Sequence, residues 1–240
     1  MKHFDPEVAA AVEHFGKLLE NQIERVGRLK QAESWADSSQ ISPIMIGVIG
    51  GDGIGPYITD EARRILEKLL AEPVRSGRVE FRSIEGLTIE NRARHRMSVP
   101  DEVMEQIRGH HVLLKGPTHT PERGDPWPDL ESANVLIRKN LDLFANIRPV
   151  CIPREGIDWT FFRENTEDLY AVGSQGLEVT PGLAVDFRII TTPGTERIVE
   201  AAFDFARRTG KRRVSVVTKA NVVKTTDGLF LSVAQDIARR

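Results

Sequence analysis

The sequence has one cysteine, Cys151, among 240 residues. That excludes an internal disulfide framework and fits a reducing, cytoplasmic setting. Net charge is nearly absent too: 33 Lys and Arg against 35 Asp and Glu leave a formal charge of -2. Such a balance calls for neither nucleic acid nor a membrane surface. No apolar run approaches the length of a membrane span. The N-terminus, MKHFDPEVAA, has no apolar signal core. Internal repeats and low-complexity segments are lacking as well. What remains is an ordinary globular composition, 40% hydrophobic and 28% charged. The length suits one large domain or two small ones. Cys151 itself, in VCIP, reads as a core strand residue rather than a nucleophile.

The most informative stretch spans residues 132–170, SANVLIRKNLDLFANIRPVCIPREGIDWTFFRENTEDLY. Arg138, Arg148 and Arg163 stand there among apolar residues. Ser132, Asn134, Glu164, Asn165, Thr166 and Tyr170 lie close by in sequence. Guanidinium groups set beside core residues are ordinarily met by carboxylates or phosphates. The stretch therefore predicts a pocket for a small polyanion.

Around it the chain reads as an alternation of strands and helices. Asp5-Pro6-Glu7 starts a helix over residues 5–33, with an N-cap acceptor, a first-turn proline and an acid at the positive dipole end. Val8, Val12, Phe15, Leu19, Val26 and Leu29 form a heptad-like stripe, with Gln22 filling one slot. Two readings stay open: a helix lying on its own domain, or one that binds a partner. Gly16 and Gly27 weaken it as a free-standing helix. Residues 34–42, SWADSSQIS, read as a linker.

Residues 44–49 suit a buried strand. GGDGIGP follows at residues 50–56, and then a helix with Ile58, Ala62, Ile65, Leu66 and Leu69 on one face. The order suggests a dinucleotide fingerprint, but Pro56 takes the slot of the third glycine. A tight turn that lets another segment approach the backbone fits better. A second strand is expected at residues 81–84, a basic solvated loop at 92–96, a helix at 98–108 and a strand at 112–114. Lys115, at that strand's end, reads equally as a ligand contact or a surface charge. Residues 121–129 are a loop. Further on come a possible hairpin at 183–192, a helix at 196–208 closed by Gly210, a strand at 214–217, and a last helix running to Arg240.

Five segments together resemble the β-decarboxylating dehydrogenases: isocitrate, 3-isopropylmalate, homoisocitrate and tartrate dehydrogenases. They are GGDGIGP at 50–56, KGPTHTP at 115–121, SANVLIRKNLDLFANIRP at 132–149, RENTEDLYA at 163–171 and TKANVVKTTDGLFL at 218–231. The resemblance covers about residue 44 to the end and is specific because all five stand in the family's order. It implies an α/β two-domain fold distinct from the Rossmann fold, here with an added N-terminal helix. Residues 1–40 would be the extension and linker, 41–143 the first part of the large domain, and 144–240 the small domain, with a clasp-like arm at 168–191. The family works as a dimer whose sites take residues from both subunits, so a homodimer or a completing partner chain is expected.

The implied chemistry is oxidation of a 2-hydroxy polycarboxylate by hydride transfer to NAD or NADP, then loss of CO2, with a divalent Mg2+ or Mn2+ ion. The resemblance places Arg138, Arg148, Arg163 and Lys115 on the substrate's carboxylates. Guanidinium groups suit that task because they pair in bidentate geometry and keep their proton. It makes Lys219 the base that takes the hydroxyl proton across the dimer interface and Tyr170 the acid that protonates the enolate. Asn221 and Thr120 fall near the cofactor. Ser132 and Asn134 match positions that meet isocitrate's extra carboxylate, and such polar side chains would be left unpaired by a hydrocarbon. Asn165-Thr166-Glu167-Asp168 looks isocitrate-like as well. Isocitrate or a close tricarboxylate such as homoisocitrate is the expected substrate, with isopropylmalate and tartrate as alternatives.

Two departures stand out. His119 takes the place of the first threonine of the family's Thr-Thr pair, and a metal-ligand role does not suit it, since Mg2+ and Mn2+ prefer oxygen. The sequence also lacks the family's later segment, with its metal-holding aspartates, adenosine loop and last strands; Asp227 and Asp236 do not match the ligand positions. Metal ligands are therefore expected outside these residues. A fragment, half of a split enzyme, and a non-catalytic regulatory subunit are the readings left open.

Overall fold

The computed structural model describes residues 5–31 and 40–240, with no side-chain detail at residues 30 and 31. Of the proposed linker at residues 34–42, residues 34–39 lie outside the described residues. The chain divides into two compact units, one of Ser34–Leu141 and the other of Met1–Glu33 with Asp142–Arg240.

The continuous unit is built on three parallel strands: β1 (Ile44–Ile49), β2 (Val79–Ser83) and β3 (Val112–Lys115), in the order β2-β1-β3. The central position of β1 explains its uninterrupted apolar sequence, since a parallel strand paired on both edges is covered on both faces. Helices α2 (Gly55–Leu69), α3 (Ala71–Arg75), α4 (Ile89–His95), α5 (Asp101–Arg108) and α6 (Ala133–Asn140) complete the unit. Its core joins Ile49, Ile84 and Leu87 to Val103, Met104 and Ile107 of α5 and to Ala133 and Ile137 of α6.

Two expectations fail here. Residues 92–96 are not a solvated basic loop. They end α4, which Thr88 caps, and Arg92 is 0% exposed. The stripe on α2 is amphipathic as expected, yet Ile58, Ile65 and Leu69 are exposed. Gly55 and Thr59 face inward instead, because only small residues fit against the nearby turn.

The second unit has an antiparallel ribbon of β4 (Ala145–Ile152) and β5 (Ile157–Glu164), followed by α7 (Leu169–Val172) and a hairpin of β6 (Leu177–Thr180) and β7 (Leu183–Val185). Helices α8 (Thr192–Thr209) and α9 (Thr226–Arg239) pack together, with Phe144, Ile198, Val199 and Ala234 in the core. The bounds of α8 follow from its caps: Thr191 accepts from the Gly194 amide at 3.1 Å, and Gly210 takes the left-handed conformation at the other end. The N-terminal helix α1 (Pro6–Gln31) lies against β6 and α8. Leu18 is buried there, Phe15 stacks on Phe187 at 4.5 Å between ring centres, and the His14 ring bonds the Gln175 carbonyl at 2.8 Å. The upper part of the predicted stripe, Val8, Val12 and Leu19, remains exposed.

Residues 214–217 form no strand, and Val217 is 89% exposed. A short apolar run becomes a strand only beside another that takes up its backbone groups, and none of the described sheets includes it. Cys151 is exposed rather than buried. It stands next to the last residue of β4, opposite the exposed Asp158, on a ribbon of only two strands. No helix among the described residues is long and apolar enough to cross a membrane.

Candidate functional site

Asp52 organises the site residues of the continuous unit. Its amide donates to the Pro117 carbonyl at 2.8 Å, and its carboxylate accepts from the amides of Ile89 and His119, each at 2.7 Å. The glycines around it permit this closeness. A Cβ on Gly116 would stand 2.0 Å from the Gly50 carbonyl oxygen, and one on Gly51, where φ is +74°, 2.0 Å from that of Pro117. The glycine-rich turn thus meets the segment after β3 backbone to backbone, as its sequence suggests. It offers no cradle for a pyrophosphate, because the chain itself fills the space.

Arg92 props the same segment from below. It donates to the carbonyls of Ser98 at 2.8 Å, His119 at 2.6 Å and Glu131 at 3.4 Å. Burial lowers its pKa, and Asp52 opposes that fall. Lys115 is half-buried and donates to the Gly116 carbonyl at 2.8 Å and to Thr118 Oγ1 at 3.2 Å. Burial pushes its ammonium down to about 8; Arg92 and Arg138 add to the fall, and Asp52 opposes it. Ser132 opens α6 without using its side chain as a cap. Asn134 and Arg138 lie one helical turn apart on α6 and are half-buried. Thr120 is exposed, as is His119, whose Nε2 pairs with Asp125 at 2.9 Å.

In the other unit, Arg148 and Arg163 are exposed, which corrects the expectation that they sit among buried residues. Asn146 pairs with Arg163 and Arg148 with Phe161, so both arginines project from one face of the ribbon as diagonal neighbours, about 7–8 Å apart at their backbones. Arg148 donates to Asn146 at 3.0 Å. Arg163 donates to the Tyr170 oxygen at 3.0 Å, and its guanidinium carbon lies 5.0 Å from the centre of that ring. The phenol accepts this bond, so its own O–H is left to be donated elsewhere.

The turn between β5 and α7 is polar and buried. Glu164 accepts from the amides of Thr166 at 2.7 Å and Glu167 at 2.5 Å, and from Arg197 at 3.2 Å. Burial raises the Glu164 pKa, against the pull of these hydrogen bonds. Glu167, 1% exposed, accepts from Arg25 of α1 at 2.7 Å and from the Thr191 amide at 2.9 Å. It also accepts from the Thr191 hydroxyl. A Cβ on Gly194 would strike its carboxylate at 2.2 Å, so only glycine fits there. Glu164, Thr166 and Glu167 therefore build the turn rather than a pocket wall. Asp168 follows with φ +60°, held by the Arg188 side chain.

Lys219 and Asn221 are exposed in the turn before α9. The Lys219 amide donates to Asp227 at 2.7 Å, and that bond is the largest cause of a lowered Asp227 pKa. The Arg188 guanidinium joins Asp227, at 2.6 Å, to Asp168.

Sequence reasoning missed Asp52, Arg92, Arg188, Arg197 and Arg25. Only Asp52 had a signal, as the single acid within a glycine-rich turn; the rest meet partners far away in sequence. Among the described residues no group of three or more His, Cys, Asp or Glu is placed to hold a metal ion. Asp168 and Asp227 are engaged by Arg188. The described side chains therefore do not fit a resident divalent ion.

Comparison with known proteins gives a family match. The family described as isocitrate/isopropylmalate dehydrogenase matches residues 45–240. NAD isocitrate dehydrogenase subunit 2, mitochondrial, of Schizosaccharomyces pombe is 36% identical over 205 residues, covering 80% of this chain and 49% of the relative. NAD isocitrate dehydrogenase regulatory subunit 1, mitochondrial, of Arabidopsis thaliana is 35% identical over 207 residues, covering 83% and 51%. The crystal structure of isocitrate dehydrogenase from Methylococcus capsulatus is similar with a TM-score of 0.65 at 32% identity, covering 81% of this chain and 57% of that one. The chain spans about half the length of the relatives it matches.

Proposed function

Because the chain belongs to the isocitrate/isopropylmalate dehydrogenase family, we propose that it carries substrate-binding and proton-transfer residues for NAD- or NADP-linked oxidation and decarboxylation of a 2-hydroxy polycarboxylate such as isocitrate. The observation that carries this reading is the Arg163–Tyr170 pair, with Arg148 on the same ribbon face. Two cationic forks suit planar carboxylates. A phenol that accepts from one of them keeps its proton to give to the carbon from which CO2 has left. Lys219 takes the hydroxyl proton. The family resemblance assigns Lys115, Ser132, Asn134 and Arg138 to the substrate's other carboxylates, and Thr120 and Asn221 to the nicotinamide carrier. Homoisocitrate fits the same groups. No step is assigned to a metal, and a second copy or a completing partner chain supplies what these residues do not. The single cysteine supports a reducing compartment such as the cytoplasm.

Titration calorimetry of the 240-residue chain with isocitrate tests the carboxylate part. Binding is expected, and Arg163→Gln should weaken it about 10–100-fold, since a charge-assisted hydrogen bond is worth about 1.5–3 kcal/mol. An intact chain that gives no binding heat sinks the reading.

A second reading, a regulatory subunit, is favoured by the name of the Arabidopsis relative. It expects isocitrate binding with no NAD(P)+ reduction in any assembly, and no effect of Lys219→Ala on the assembled complex. Turnover that Lys219→Ala abolishes would remove it.

A further inference from the structure

The turn that carries Lys219 is tied to a distant part of its own unit by an unbroken series of polar contacts. Asp227, buried in the first turn of α9, accepts the Lys219 amide on Oδ2 at 2.7 Å. Its Oδ1 accepts from Arg188 at 2.6 Å. The remaining nitrogens of Arg188, Nε and Nη2, grip both carboxylate oxygens of Asp168. Asp168 sits at φ +60° and ψ -137°, a backbone region that side chains avoid. It is also pinned to Ile189 by main-chain bonds of 2.8 and 3.3 Å. Tyr170 begins two residues later.

One guanidinium thus serves two carboxylates at once. That requires a planar fork; an ammonium is a point charge and satisfies only one geometry. Each carboxylate in turn fixes a different backbone segment: Asp227 the turn of Lys219, Asp168 the strained entry to α7.

We propose that Arg188 and Asp227 are positioning residues for Lys219, holding its turn in fixed relation to the segment that opens at Asp168 and carries Tyr170. The proposal rests on the reading of Lys219 and Tyr170 as proton-transfer groups. It adds that the separation of these two segments is set by one side chain that touches neither substrate nor cofactor.

Amide hydrogen exchange on the full chain, with acylation of the Lys219 amine in the presence and absence of isocitrate, tests it. Arg188→Gln should speed exchange at the Lys219 amide at least 10-fold, with β1 and α8 unchanged. It should also remove the shielding of Lys219 from acylation that bound isocitrate provides. Arg188→Lys should restore part of both. If the Lys219 amide exchanges at the original rate in Arg188→Gln while isocitrate still binds, the positioning role is overturned and the functional reading stands. An equal rise across α8 and α9 overturns it too, as Arg188 would then serve only general stability. If isocitrate fails to bind the unaltered chain, or binds without shielding Lys219, the functional reading itself is overturned.

Discussion

The Lys115 ammonium is half-buried, and its pKa is pushed down to about 8, chiefly by burial. An unfolded lysine titrates near about 10.4. Between those values the unfolded chain binds the extra proton, so this group's contribution to stability rises with pH across that window. A bound polycarboxylate acts in the opposite sense, because it favours the protonated amine. Isocitrate affinity should therefore fall as the pH climbs through about 8, and Lys115→Met should bind more weakly at neutral pH and lose that slope. Calorimetry from about pH 7 to about pH 9 reads both; a Lys115→Met variant with an unchanged profile would take Lys115 out of the site. The arginines show how far single residues were legible. Sequence located the polar stretch at residues 132–170 but misjudged burial within it. Arg148 and Arg163 have apolar neighbours along the chain, yet they share an open face of a two-stranded ribbon with the exposed Trp159 and Phe161. The guanidinium that is wholly buried, Arg92, sits in a sequence that looks like surface. Its three carbonyl partners, on Ser98, His119 and Glu131, converge only in the folded chain.

Among the elements, the turn at residues 50–56 was read correctly from its glycines, as a place where backbone meets backbone. That reading makes a discriminating pair of variants. Gly116→Ala would place a Cβ 2.0 Å from the Gly50 oxygen and should cost about 3 kcal/mol, as overpacking against rigid backbone does. Gly53→Ala meets open space at φ +59° and should cost only about 1 kcal/mol of left-handed strain. Denaturant midpoints compare the two, and equal losses would refute the close-approach account. Strand β1 was legible to its ends because its apolar run has neighbours on both edges. The run at 214–217 looks similar in sequence and is no strand, because pairing is a property of neighbours rather than of the run itself. Helix α4 was hidden by its own charges: Arg92, Arg94 and His95 fill its last turn, where they suit the negative end of the dipole.

At the scale of the whole molecule, the unit Ser34–Leu141 is continuous in sequence, whereas the other is assembled from Met1–Glu33 and Asp142–Arg240. All three strands of its described sheet, and its core cluster, come from the continuous unit itself. Residues 40–141 expressed alone should therefore unfold cooperatively in urea with helical and strand circular dichroism; a featureless, non-cooperative profile would contradict this. The family's motifs were legible because each is local. The role of α1 was not, since its partners are remote and it lies outside the matched residues 45–240. That remoteness has a meaning in time. Arg25 is synthesised 142 residues before Glu167, a wait of roughly seven to thirty seconds at about 5–20 residues per second. During that interval α1 has no partner for Leu18 or Phe15, and Val8, Val12 and Ile23 stay wet even afterwards. Until its later half is made, this amphipathic helix has nothing of its own chain to lie on, and the machinery that attends nascent chains meets it before the residues that cover it in the fold exist.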